Sequence, residues 1–184
     1  RRAVRLKHIC SETTHSPLGI SRKSMSKKIT NYTLRKATEH LYYEAWMFYQ
    51  TLVLLRHPRP QIEVNILLDA FVVHARNLFD FFYPKEHLKP DDMIVTDYLL
   101  KPKIFNSSKI KKSELLFIVR KADKQLAHLT YARNRYNQKT KPWPFVDIGR
   151  KMHKTLSSFY DALPNSYRKW SYIIKLKTVI DTYA

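Results

Sequence analysis

The sequence predicts an all-α protein behind a basic N-terminal arm. Three observations predict it. Only two glycines occur in 184 residues, and tight β-hairpins draw on glycine for left-handed backbone, which disfavours a hairpin-rich fold. Apolar residues recur at every third or fourth position over long runs, the period of a helix packed on one side. The prolines fall between those runs, where a helix has to stop. At this length the chain makes one domain, residues 31–184, with a core of its own and an arm over residues 1–30.

The arm holds Arg1, Arg2, Arg5, Lys7, Arg22, Lys23, Lys27 and Lys28 against one acid, Glu12, with frequent Ser and Thr and little periodicity. It reads as a segment disordered alone and ordered by a polyanion. A first helix follows from Asn31 or Thr33 to Arg56, with Ala37, Leu41, Ala45, Phe48, Leu52 and Leu55 on its buried side, and His57-Pro58-Arg59-Pro60 stops it. The second helix, Gln61 to Tyr83, is apolar nearly all round, as a helix at the centre of a bundle or against a partner should be. Its polar stripe of Asn65, Asp69, Arg76 and Asp80 predicts an Asp69–Arg76 or Arg76–Asp80 ion pair that offsets the cost of burying charge. Residues 84–111 read as a long connection with a short helix at Asp92–Leu100. A third helix starts at Ser113-Glu114 and runs past Arg133, burying Leu115, Val119, Ala122, Leu126, Leu129 and Tyr136. After Pro142 and Pro144 come helices at Phe145–Leu163 and Ser166–Tyr183, parted by Pro164.

Charge narrows the function. Thirty-four Lys and Arg face 15 Asp and Glu, giving a formal +19 and a pI near 10.0. Such an excess repels itself unless a polyanion is at hand, which points to nucleic acid, RNA first. The longest apolar stretch, Ile62 to Phe82, is broken by Glu63, Asp69, Arg76 and Asp80, so no membrane partner is expected. Cys10 is alone, which excludes an internal disulfide and a cysteine metal cluster and suggests a reducing, cytoplasmic setting. The eight histidines form no paired zinc motif, and no cofactor is expected. The chain opens on Arg1, which reads as a fragment with its upstream sequence open.

The stretch Lys121 to Arg133 concentrates the chemistry. Seven residues make almost two helical turns, so on an unbroken helix Lys121 and His128 share a face, with Arg120 about 80° away. A cation beside an imidazole can hold a phosphate and move a proton near it. Asp123 lies about 140° from His128 on the same wheel and is placed to orient a cation rather than the ring. The other reading of His128 is structural, packed on Tyr131 or capping a neighbour. Phosphate contacts are expected from Arg22, Lys23, Lys27 and Lys28 of the arm, Lys109, Lys111 and Lys112 of the connection, and Lys124, Arg133 and Arg135 of the third helix. Trp143, Tyr167, Trp170 and Tyr172, interleaved with Lys139, Lys141, Arg168 and Lys169, could stack bases or pack between helices.

Two phrases carry a family resemblance: Asp69-Ala70-Phe71-Val72-Val73-His74-Ala75-Arg76-Asn77-Leu78-Phe79-Asp80-Phe81-Phe82, and Leu126-Ala127-His128-Leu129-Thr130-Tyr131-Ala132-Arg133. Together they resemble bacterial members of the HEPN superfamily (higher eukaryotes and prokaryotes nucleotide-binding) over residues 33–137. The resemblance implies an up-and-down bundle of about four to five helices that forms a homodimer, each protomer supplying half a site. It also implies a metal-independent endoribonuclease of a toxin–antitoxin or antiviral phage-defence system, leaving a 2′,3′-cyclic phosphate. The family motif is an arginine, a polar residue at or near the next position, and a histidine four to six residues on. Matched backward from His128, Asp123 is the polar residue and Lys121 stands where the arginine would, with Arg120 offset by one. Lysine lacks the planar fork that grips a phosphate bidentately. The alternative is a non-catalytic RNA- or DNA-binding subunit of a larger ribonucleoprotein such as a CRISPR effector. An adaptor binding through the second helix would explain the apolar surface but not the charge.

Overall fold

The computed structural model describes residues 29–127, 131–135, 137 and 142–184. The arm at residues 1–28 lies outside the described residues, as do His128, Tyr136, Lys139 and Lys141. Among the described residues every regular element is helical. Four long helices, α1 (Asn31–Leu54), α2 (Gln61–Phe82), α5 (Phe145–Ala162) and α7 (Ser171–Thr182), form a bundle with the shorter α3 (Pro102–Ser108), α4 (Lys112–Ala122) and α6 (Asn165–Arg168). A 3₁₀ turn at Val95–Tyr98 precedes α3, a π-helical turn at Asp123–Ala127 follows α4, and a second 3₁₀ turn spans Tyr131–Arg135.

Local chemistry starts and stops these elements as the sequence suggests. The Thr30 hydroxyl accepts a hydrogen bond from the Thr33 amide at 3.1 Å, capping α1. Pro58 and Pro60 turn the chain back, so α1 and α2 pack on each other. α1 also packs on α7, α2 on α4, and α3 on α5. The core between them is aromatic. Phe159 of α5 is fully buried, with ring centroids 5.6 Å from both Phe81 and Phe82, 6.3 Å from Tyr98 and 6.4 Å from Phe105. At these separations the rings meet edge to face, the arrangement their quadrupoles favour.

Three expectations need correcting. The helix expected at Asp92–Leu100 is a single 3₁₀ turn, and a real helix, α3, begins at Pro102. Proline at the first helical position lacks an N–H that would have had no partner there anyway. Burial of Phe105 then holds the short helix on the core. The third helix does not run past Arg133: α4 ends at Ala122 and widens into the π turn. The expected Ser166–Tyr183 helix is two pieces, because Trp170 takes extended backbone (φ −72°, ψ 138°) and stacks on Tyr167 with centroids 4.0 Å apart. The second helix, expected at the centre of the bundle or against a partner, buries its second half and leaves apolar surface on its first. Phe71, Val72, Leu78, Phe79 and Phe82 are buried, while Ile62 and Ile66 remain 66% and 62% exposed.

Candidate nucleic-acid interface

The seam between α2 and the end of α4 is built around one ion pair. Arg76 reaches off α2 to Asp123, Nη1 to Oδ1 2.6 Å, with the two side chains 31% and 42% exposed. The pairs expected within α2 do not form. Asp80 meets Lys85 at 3.4 Å and Asp69 is exposed. For Asp69 the reason is reach, since residues seven apart on a helix stand about 10 Å apart along its axis. Asp80 is only one turn from Arg76, but it meets Lys85 while Arg76 takes Asp123 from a neighbouring element. At this exposure the bridge is worth no more than about 1 kcal/mol. Its consequence is positional, since it ties α2 to the π turn. Single π turns inside helices are frequent at functional sites.

Lys121, at the last turn of α4, donates from Nζ to the Pro142 carbonyl at 2.6 Å and lies 4.8 Å from the centroid of the buried Trp143 ring. Burial lowers its pKa from the ordinary lysine value. The ammonium thus closes the two ends of the segment that leaves α4 and returns at α5. Arg120 and Lys124 are exposed beside it. The α-helix on which Lys121 and His128 were expected to share a face ends at Ala122, and His128 lies outside the described residues. Tyr131, the ring against which a structural His128 was expected to pack, is 94% exposed.

The other cations divide. Lys111, Lys112 and Arg135 are exposed. Lys109 folds inward: its Nζ lies 4.8 Å and 4.7 Å from the Tyr83 and Phe105 ring centroids and donates to the Phe82 carbonyl at 3.4 Å. Burial and the nearby Lys112 charge lower its pKa. Arg133 belongs to the Tyr131–Arg135 turn, its side chain outside the description. Arg22, Lys23, Lys27 and Lys28 lie outside the described residues. Of the mixed aromatic and basic residues, Trp143 is buried under Lys121, and Arg168 sits 5.2 Å from the Tyr160 ring while donating to the Asp161 carbonyl at 2.6 Å.

One polar cluster escaped sequence reasoning. Glu44 of α1 accepts from His74 Nδ1 at 2.7 Å and from Asn77 Nδ2 at 3.1 Å, both of α2. It borders a cavity of about 260 Å³ whose polar lining includes His40, Asp80 and Lys85. A signal existed: Glu44 stands fourteen residues before Pro58 and His74 fourteen after Pro60, so the proline turn brings them level. Among the described residues no group of three or more His, Cys, Asp and Glu is placed to hold a metal ion, and no helix is long and apolar enough to cross a membrane.

No family model, no curated protein and no solved structure matches this chain.

Proposed function

We propose that this chain binds RNA through the basic side formed by α4 and its flanking segments. One observation supports this above the rest. Between Lys111 and Lys124 the chain carries five cations against Glu114 and Asp123. Both acids are engaged by cations from elsewhere, Glu114 by Lys151 of α5 at 3.9 Å and Asp123 by Arg76 of α2. The segment's own positive charge is therefore uncompensated, and Lys111, Lys112, Arg120 and Lys124 carry it into solvent. A row of exposed ammonium and guanidinium groups contacts phosphates regardless of base sequence. The exposed Ile62 and Ile66 of α2 support the homodimer that the HEPN resemblance implies.

Cleavage is the second reading, and the Arg76–Asp123 bridge favours it, because it joins the first resemblance phrase to the motif's polar residue. In this reading His128 takes the proton of a ribose 2′-hydroxyl, whose oxygen bonds to the adjacent phosphorus. The bond to the 5′-oxygen breaks with a proton returned to that oxygen, and a 2′,3′-cyclic phosphate remains. Arg76 or Arg120 would stabilise charge on the phosphoryl oxygens. The engagement of Lys121 with Pro142 and Trp143 argues for the alternative, a non-catalytic subunit of a ribonucleoprotein.

Binding of a fluorescent RNA across a salt series tests the first reading. Replacing Lys111, Lys112, Arg120 and Lys124 by alanine should flatten the log–log salt slope by about 0.7 per lost phosphate contact. A native affinity independent of salt refutes it. Incubation with mixed RNA in EDTA separates the readings of chemistry. Cutting that drops by about 10²- to 10⁴-fold in His128→Ala, with binding retained, supports cleavage, and no cutting by the native chain leaves the binding subunit.

A further inference from the structure

The groove between α1 and α7 is a cleft of about 360 Å³ lined by Tyr42, Trp46 and Gln50 on one side and Lys175, Thr178 and Tyr183 on the other. We propose that it seats an unpaired RNA base, stacked on Trp46, with Lys175 beside the adjoining phosphate. The inference rests on the RNA-binding reading above and places a single strand on a second face of the bundle.

The first observation is the state of the rings. Trp46 is 38% exposed, where Trp143 is 6% exposed and covered by Lys121. An indole left at the wall of a cleft offers a flat apolar face that every base can stack on. The second is the charge set among the rings. Lys175 Nζ lies 4.9 Å from the Tyr172 centroid and 5.9 Å from that of Tyr42, and those two rings are 5.9 Å apart. Farther up the same face of α1, Lys36 lies 5.7 Å from the ring of Tyr32, itself 70% exposed. From Tyr32 to Trp46 is about 21 Å of helix, room for several nucleotides. Of the nearby acids, Asp181 is paired with Lys177.

The third observation is that the wall is held rigid. Gln50 Nε2 donates to the Tyr183 hydroxyl at 2.8 Å, the Tyr183 ring stacks on Tyr49 with centroids 4.7 Å apart and planes 6° apart, and the Tyr49 hydroxyl meets His153 Nδ1 at 2.8 Å. A preformed wall spares a ligand the entropy of ordering it. A second copy of the chain is the poorer occupant. Packing two copies of this face together would set Lys36 and Lys175 against like charges in a protein of +19, whereas a phosphate backbone meets them with the opposite sign.

The test compares an oligouridylate of about 12 nucleotides with an abasic ribose-phosphate oligomer of equal length, using the full chain. Trp46→Leu keeps apolar volume and removes the ring, and it should weaken oligouridylate binding about 5- to 150-fold while leaving the abasic oligomer unaffected. Trp46→Phe keeps a ring and should retain most of the affinity, which keeps the test decisive if Trp46→Leu fails to fold. Equal loss on both oligomers, an affinity unchanged in Trp46→Leu, or a Trp46→Phe that binds oligouridylate no better than Trp46→Leu overturns the inference and leaves the RNA-binding reading standing. A change from dimer to monomer in Trp46→Leu with RNA affinity intact assigns the groove to a second copy and also overturns it. A native chain that binds neither oligomer refutes both.

Discussion

Gly149 lies buried in α5 and faces Leu52 of α1. A Cβ built on it would stand 2.5 Å from Leu52 Cδ2 and 3.1 Å from Cδ1. Two effects of Gly149→Ala therefore oppose each other. Relieving glycine's backbone entropy inside a helix stabilises by about 1 kcal/mol. Forcing a methyl into a filled site costs about 1–3 kcal/mol. Leu52 is itself buried at 4% exposure and has little space to swing, so the contact wins and Gly149→Ala should destabilise by up to about 2 kcal/mol. In a Leu52→Ala background the obstructing methyls are gone. That change alone costs about 2–5 kcal/mol, but adding Gly149→Ala should now restore about 1 kcal/mol. The sign of one substitution reverses with the other, a coupling well beyond the roughly 0.5 kcal/mol scatter of independent sites. Urea denaturation of the four proteins, with the slopes checked for constancy, measures it. If Gly149→Ala stabilises the native chain, or if the two effects add, α1 and α5 do not approach as described.

Phe79→Asp places an unpaired charge where a ring is 2% exposed and packed 4.9 Å from Tyr83. It should unfold the domain, read as lost helical circular dichroism, and a folded, soluble variant would show that the second half of α2 is not in the core. The His153 imidazole is bonded to Tyr49, and burial lowers its pKa from the ordinary 6.5, an effect only partly opposed by the Asp181 charge. The unfolded chain then binds a proton more readily than the folded one. This part of the stability is present above pH 6.5 and falls away as pH drops toward the lowered value. Melts at pH 7.5 and 5.5 should show a smaller loss in His153→Gln than in the native chain, and an equal loss would remove His153 from the account.

The long helices were legible because their causes are local. The apolar period of α1, the continuous apolar run of α2 and the prolines around α5 act within a few residues of where they are read. α3 was not legible. It has seven residues and one buried anchor, Phe105, too few to repeat a period, and Pro102 reads equally well as a breaker and as a helix start. The end of α4 was hidden for a different reason. Residues past Ala122 continue a helical pattern, but Asp123 goes to Arg76 and Lys121 to Pro142, contacts made with parts of the chain distant in sequence. Of the candidate site, the surplus of cations around α4 was plain in composition. Nothing within the segment revealed that Lys109 would turn inward onto two rings.

The sequence by itself determined that the chain is helical and strongly basic, since composition and period state those properties without reference to partners. Only the tertiary structure decided which surfaces remain for function. It paired Arg76 with Asp123 instead of a neighbour on its own helix, levelled Glu44 with His74, and left Trp46 and Lys175 in an open groove while burying Trp143. The physical reason is that a helix's periodicity fixes which residues share a face. How far each helix is rotated and slid against its neighbours is settled by the packing of all of them together.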